Sequence, residues 1–409
     1  MKKMLVPGGV LAAILAVVLL GGCKGADGSQ GPQGPPGIDP GTFEGFATGI
    51  KCGTCHSSEQ DTTYYVAGKV YQWELSSHGS GGAYMENRTT CAGCHTTEGF
   101  LERYRGGWST QVTSQVNNPT PPGCFACHSP HARNNFSLRD TNAVTITSFI
   151  TGVNDATFNY GVGNLCVRCH QTRTSSAMSP KPDPTKTAPT DTITITSSRW
   201  YPHYGVQGQM LVGTGGFQFQ GGSYTGNGPH TGAALIQQEG CPQCHMADAG
   251  TSGVDLRGGH TMKVRSDTAA TAVNLAGCRD AACHGSSWYN SGDMRDYFSQ
   301  SSGLTAGVGV QRYIQRYLDT LYAMMTDTNV VGRWTVGNLK KPWLTMGAEG
   351  VQVNAGTSGG LTPLKIRPAS RAGALYNYWF LEHDGSFGVH NSKYAVQLIQ
   401  SSVAELRQP

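Results

Sequence analysis

Five times between residues 51 and 245 the chain reads cysteine, any two residues, cysteine, histidine: KCGTCH, TCAGCH, GCFACH, LCVRCH and GCPQCH. The members are Cys52, Cys55 and His56; Cys91, Cys94 and His95; Cys124, Cys127 and His128; Cys166, Cys169 and His170; Cys241, Cys244 and His245. Nothing else in the sequence restricts the fold as much, because each copy must gather two thiols and an imidazole around one tight turn. A zinc site or a thioredoxin-like pair accounts for one CxxC. Neither accounts for five copies each followed at once by histidine. That pattern is the attachment signature of c-type haem: the thiols add to two vinyl groups along one porphyrin edge, and the adjacent imidazole turns onto the iron.

A sixth segment, AGCRDAACHG from Ala276 to Gly285, departs from the pattern. Here four residues rather than two separate Cys278 from Cys283. Of 13 cysteines, ten belong to the regular motifs and Cys23 to the leader, so Cys278 and Cys283 are the remaining pair. Cys283 and His284 keep the adjacency that couples a thioether to its axial ligand, and a turn through Ala281 and Ala282 absorbs the two extra residues. A local disulfide in an oxidising compartment is the competing reading. It leaves His284 unexplained, so a sixth haem is expected.

Histidine supplies an independent count. Six of the 13 histidines stand in the motifs, leaving His78, His131, His203, His230, His260, His383 and His390. Six irons with two imidazoles each require six of these seven. His78 in ELSSHG and His230 in GPHTG lie on short approaches to a motif, from which a loop folds over the haem it precedes or a neighbour. His131 stands three residues beyond His128, too close to reach the opposite face of the same ring, and is expected to cap an adjacent haem. His260 lies beside glycines that permit close backbone approach to a flat ligand, and His203 lies among aromatics suited to packing on porphyrin faces. Between the last two, His383 ends an apolar helical pattern beside charged groups, where an exposed helix end is expected, and His390 sits in a loop. His390 is therefore the expected sixth distal ligand. Methionine ligation is weighed for Met210, Met246 and Met262 and set aside in favour of core packing, since histidines suffice.

The amino terminus reads as a targeting device. Lys2 and Lys3 precede an apolar run ending in LLGGC, which matches a lipobox with Cys23 as the lipidated first residue of the mature chain. Residues 1–22 are thus a lipoprotein signal peptide. Residues 23–45 carry the lipid and GADGSQGPQGPPGID, whose glycine triplets are too short a tract for a collagen helix and read as a tether. The aspartate that would retain a lipoprotein at an inner membrane is absent after Cys23, which favours the outer membrane. A net charge of +4 points to neither nucleic acid nor a polyanionic surface.

With 56 glycines, 38% hydrophobic residues and little Leu, Ile or Phe, side chains alone bury a thin core. Porphyrins are expected to supply the rest, so folding should depend on haem insertion and the apoprotein should be largely disordered. Unequal motif intervals exclude a solenoid. Residues 46–290 read as a six-haem core with a small β insertion near 140–200, where TNAVTITSFI and TDTITITSSRW alternate as strands. Residues 291–409 carry three helical patterns, VQRYIQRYLDTLYAMM, SRAGALYNYWFLEH and SKYAVQLIQSSVAEL, expected to pack as a lid on the last haems. The fold class is a haem-cored multihaem cytochrome c, mostly irregular, with scattered helices, a small β element and a C-terminal helical region.

On the motif array, PHYGVQGQML, GCPQCHM followed by GGHTM, and LYNYWFLEHDGSFGVHN, the chain resembles the multihaem c-type cytochromes of dissimilatory metal-reducing bacteria, which are outer-surface and extracellular electron carriers. In that family the histidines of HYG, GGHT and GVHN segments serve as distal ligands, which implies His203, His260 and His390 here. The resemblance implies electron transfer along bis-histidine haems toward ferric oxides or partner cytochromes. The partners it implies are other multihaem cytochromes or a porin–cytochrome complex, and a membrane reached through the lipid. Two other readings stay open: a reductase of nitrite, hydroxylamine or sulfur compounds with one open haem, and a subunit of a filament or other homo-oligomer.

Overall fold

A computed structural model describes residues 64–109, 111–129, 136–172, 178–248, 257–265, 273–285, 309–337, 341–344, 350–351, 354–355 and 361–409. All fall in one contact unit, Ala47–Pro409. The leader with Cys23, the first motif (Cys52, Cys55, His56) and His131 lie outside the described residues.

The motif-bearing part is built from short pieces. In chain order these are α1 Val66–Glu74, α2 Ala92–His95, α3 Thr97–Arg105, α4 Cys124–Cys127, β1 Val144–Ile146, β2 Ala156–Phe158, α5 Gly163–Val167, β3 Ile193–Ile195, α6 Gln207–Val212, α7 Ala234–Glu239 and α8 Pro242–His245. Single 3₁₀ turns hold His230–Gly232 and Gly259–Thr261. Among the described residues two small apolar clusters form here. One gathers Phe100, Ala126 and Leu165, the other Val144, Ile146, Phe158, Val167, Leu211 and Ile236. This is the thin core expected from composition.

The C-terminal part is different. It comprises α9 Val310–Thr326, α10 Thr328–Val331, β4 Asn354–Ala355, β5 Leu361–Thr362, β6 Leu364–Ile366, α11 Ala372–Asp384 and α12 Ser392–Arg407. Helix α9 turns Ile314, Leu318, Leu321 and Met325 inward along one stripe, and α12 does the same with Leu398, Ile399, Val403 and Leu406. Between them α11 is buried on all sides, with Tyr376 and Phe380 fully enclosed. A helix apolar all round belongs in a core. Asn377 bridges the Phe217 backbone and Ser402 Oγ, so the buried amide finds its partners. The helices are the walls of a conventional side-chain core, to which Trp200, Met210, Phe217 and Trp343 also contribute. The expected boundary near residue 290 does not divide this core.

The small β element expected near 140–200 is divided between two sheets. The two alternating stretches do not pair with each other. Strand β1 forms a hairpin with β2, Val144 facing Phe158, whereas β3 pairs antiparallel with β6, Ile193 facing Ile366. The inward residues decide this: Ile193 and Ile195 belong to the C-terminal core, Val144 and Ile146 to the small cluster near α5.

Gly373 sits where a methyl group would run into the Phe217 ring. Gly373→Ala should therefore lower the urea midpoint followed by circular dichroism, since overpacking costs about 1–3 kcal/mol against about 1 kcal/mol gained in helix propensity. A raised midpoint would mean that Phe217 yields freely.

Candidate haem-binding site

The attachment turns share one device. In the four regular motifs that are described, the histidine N–H donates to the carbonyl of the first cysteine: His95 to Cys91 at 3.2 Å, His128 to Cys124 at 2.8 Å, His170 to Cys166 at 2.9 Å and His245 to Cys241 at 3.0 Å. The bond closes one helical turn and sets both sulfurs and the imidazole around it. Thr96 fixes the exit of the second motif, accepting from Gly99 N–H as the N-cap of α3. In the long motif the His284 N–H reaches the Cys278 carbonyl at 3.2 Å, closing the same contact over two more residues. The extra length is folded into a loop around Asp280, whose carbonyl accepts from Cys283 and Gly285 and whose carboxylate accepts from Ala282 N–H at 2.8 Å. Cys278 and Cys283 form no disulfide, nor do the other described cysteines.

Five histidine pairs then face one another. Ring centres lie 6.0 Å apart for His78 and His170, 6.2 Å for His95 and His203, 6.2 Å for His128 and His260, 6.3 Å for His230 and His284, and 6.2 Å for His245 and His390. Every pair joins one motif histidine to one of the isolated histidines. The separation is a test of fit. A metal bonded at about 2.0 Å to a nitrogen on each side, with each nitrogen about 1.1 Å from its ring centre, puts the centres about 6.2 Å apart. Direct hydrogen bonding between rings would need a closer approach. None of these ten histidines is fully buried.

The surroundings hold several of these rings neutral, the form that binds a metal. Enclosure pushes His78 down to about 4, with His170 adding to it, and pushes His260 down to about 4, with His128 and Lys69 adding. The second ring nitrogen of several is held: His128 Nδ1 by the Phe136 carbonyl at 2.7 Å, His245 Nδ1 by the Met262 carbonyl at 3.0 Å, His170 Nδ1 by Gln207 Oε1 at 3.3 Å, and His390 Nδ1 by Asp384 Oδ1 at 2.7 Å. Such partners fix tautomer and ring direction.

The turns also touch one another. Cys94 and Cys169 lie within hydrogen-bonding reach, as do Cys166 and Cys241, and Cys244 and Cys278, while Cys127 lies near Cys166. Glycines allow it: a methyl on Gly163 would stand 2.8 Å from the Cys241 amide nitrogen, and one on Gly277 would overlap the Gln243 carbonyl. Arg103 clamps two turns, donating to the Gly93 carbonyl at 3.0 Å, to Cys94 Sγ at 3.1 Å and to the Arg168 carbonyl at 3.5 Å.

His383 corrects an expectation. It is 6% exposed rather than at an open helix end, with its ring 3.9 Å from that of Tyr204 and close to Trp379 and Tyr201, and its Nδ1 2.7 Å from the Pro202 carbonyl. The aromatic residues of WYPHYG pack on it from across the core, a contact no local pattern announces.

No protein-family model matches this chain, and no curated protein sequence does either. Among solved structures the chain is similar to the crystal structure of outer cell wall cytochrome OcwA, at 17% identity and a TM-score of 0.42, over 83% of this chain. It spans about half of that longer protein, 50% of its length.

Proposed function

We propose that this chain is a six-haem c-type cytochrome that carries electrons, held at the outer cell surface through a lipid on Cys23 and delivering to extracellular acceptors such as ferric oxides or partner cytochromes. The observation that carries the reading is the set of five facing imidazole pairs at 6.0–6.3 Å, each made of a motif histidine and a distant one. In this reading Cys91 and Cys94 attach a haem ligated by His95 and His203; Cys124 and Cys127 one ligated by His128 and His260; Cys166 and Cys169 one ligated by His170 and His78. Cys241 and Cys244 serve His245 and His390, and Cys278 and Cys283 serve His284 and His230. Cys52, Cys55 and His56 attach the remaining haem, for which His131 is the unassigned distal histidine.

Haem supplies reversible one-electron exchange at its iron. The chain does the rest by position. Two imidazoles per iron leave no coordination place for a substrate, which favours carriage over reduction of a bound small molecule. The sulfurs of Cys94 and Cys169, of Cys166 and Cys241, and of Cys244 and Cys278 lie within hydrogen-bonding reach, which supports an order of second, fourth, fifth and sixth sites with the third beside the fourth. Attachment edges that meet in this way favour short transfer distances without a large protein interior.

Two measurements test the reading. The intact mass of the mature protein should equal the chain from Cys23 with its lipid and six covalent haems. Electron paramagnetic resonance of the oxidised protein should show low-spin iron in two classes, because ring planes are inclined by 32° and 37° in the His128–His260 and His245–His390 pairs but by 73°, 82° and 84° in the other three. Near-perpendicular imidazoles leave the two π-symmetry iron orbitals almost degenerate and give the more anisotropic signal. A substantial high-spin signal that shifts on adding nitrite would favour the reductase instead.

A further inference from the structure

One ring of the fifth site, His390, meets a charge where three other ring nitrogens meet a neutral oxygen. The ring nitrogens of His128, His170 and His245 meet carbonyl or amide oxygens, whereas His390 Nδ1 donates to the carboxylate of Asp384 at 2.7 Å. Asp384 is 3% exposed. Its second oxygen accepts from the Ser386 hydroxyl and, at 3.3 Å, from the Ser386 N–H, and Ser386 Oγ in turn accepts from His390 N–H at 3.2 Å. A left-handed glycine, Gly385 at φ 68°, ends α11 and starts the loop that carries these residues. Asn391 then caps α12, accepting from Tyr394 N–H. Both ends of the loop are therefore fixed, and the carboxylate cannot swing away from the ring.

Building on the haem reading above, we propose that Asp384 is a positioning residue for the His245–His390 site, whose buried carboxylate strengthens His390 as an electron donor and lowers the reduction potential of the haem held there. Two physical effects act in the same direction. A hydrogen bond from Nδ1–H to a carboxylate gives the imidazole more anionic character and raises its basicity, which favours the ferric state. The negative charge in a weakly screened interior also stabilises the more positive iron. Asp384 lies near enough to act on His245 as well, so its field spans both axial positions. The site is central: its cysteines touch Cys166 on one side and Cys278 on the other. A low potential there makes this haem the last in its neighbourhood to fill and an energetic step between the two ends of the line.

The test is a spectroelectrochemical titration of the holoprotein. Asp384→Asn keeps the shape and an oxygen for the ring N–H while removing the charge. One reduction step should move to higher potential by a tenfold or greater change in its equilibrium constant, about 59 mV for one electron, with low-spin ligation retained. Ser386→Ala strips the hydroxyl donor from the carboxylate, leaves more of its charge for His390, and should move the same step the opposite way by a smaller factor. Steps unchanged in Asp384→Asn overturn this assignment alone, as does loss of low-spin ligation without a shifted step, which would make the carboxylate a prop. A wild-type protein with no reducible haem overturns both this assignment and the reading beneath it.

Discussion

The hydrogen bond from each described motif histidine to the carbonyl of its first cysteine is the constraint on which the motif-bearing part of the molecule depends. It closes a turn too short to be stable by itself, since an isolated helical turn fixes several residues for one bond. What holds these turns is their mutual contact: sulfur against sulfur, Gly163 against Cys241, Gly277 against Gln243, and Arg103 threaded between the second and fourth. The long motif obeys the same constraint. Its two extra residues leave the His284–Cys278 bond in place and are spooled around Asp280, so a change in spacing becomes a change in loop shape while the contact between the ends persists.

Two kinds of interior coexist in one contact unit. Around the motifs the side-chain clusters are small, and the facing histidines stand partly open. In the C-terminal part aromatic and aliphatic residues pack to completion around α11. The average composition blends the two and reads as uniformly poor in core. The scarcity in fact lies around the motifs, and the abundance lies in the C-terminal part. Gly373 and the buried Asn377 mark the second regime: close ring packing and fully satisfied polar groups, as in any well-filled core.

The local part of the candidate site was legible in the sequence. Cysteine spacing and adjacent histidine define each turn, and the three C-terminal helices follow from apolar periodicity. The pairing was not legible, because it is a long-range property. His78 lies on the approach to Cys91, yet its ring faces His170; His230 precedes Cys241, yet faces His284. Proximity along the chain does not rank partners that the fold brings in from elsewhere. The strand partners escaped for the same reason, since Ile193 and Val144 look alike until it is known which core each one faces. His383 was misread because charged neighbours in sequence say nothing of the aromatic residues that arrive from Tyr201 and Tyr204.

The conventional core also bears on the candidate ligands. His203 and His390 each lie just before a helix that the core holds, α6 and α12. Gln207 ties these regions together, meeting His170 Nδ1 through Oε1 and donating to the His383 carbonyl at 2.9 Å. Asn391 donates to the Leu211 and Gly226 carbonyls while capping α12, so the residue next to His390 is anchored to the end of α6. A rigid scaffold places an imidazole more narrowly than a loop does. The distal histidines at His78, His230 and His260, by contrast, lie on short turns beside the motifs. The His95–His203 and His245–His390 pairs are therefore coupled to the integrity of the C-terminal core, and the His128–His260, His78–His170 and His230–His284 pairs depend chiefly on the mutual packing of the motif turns.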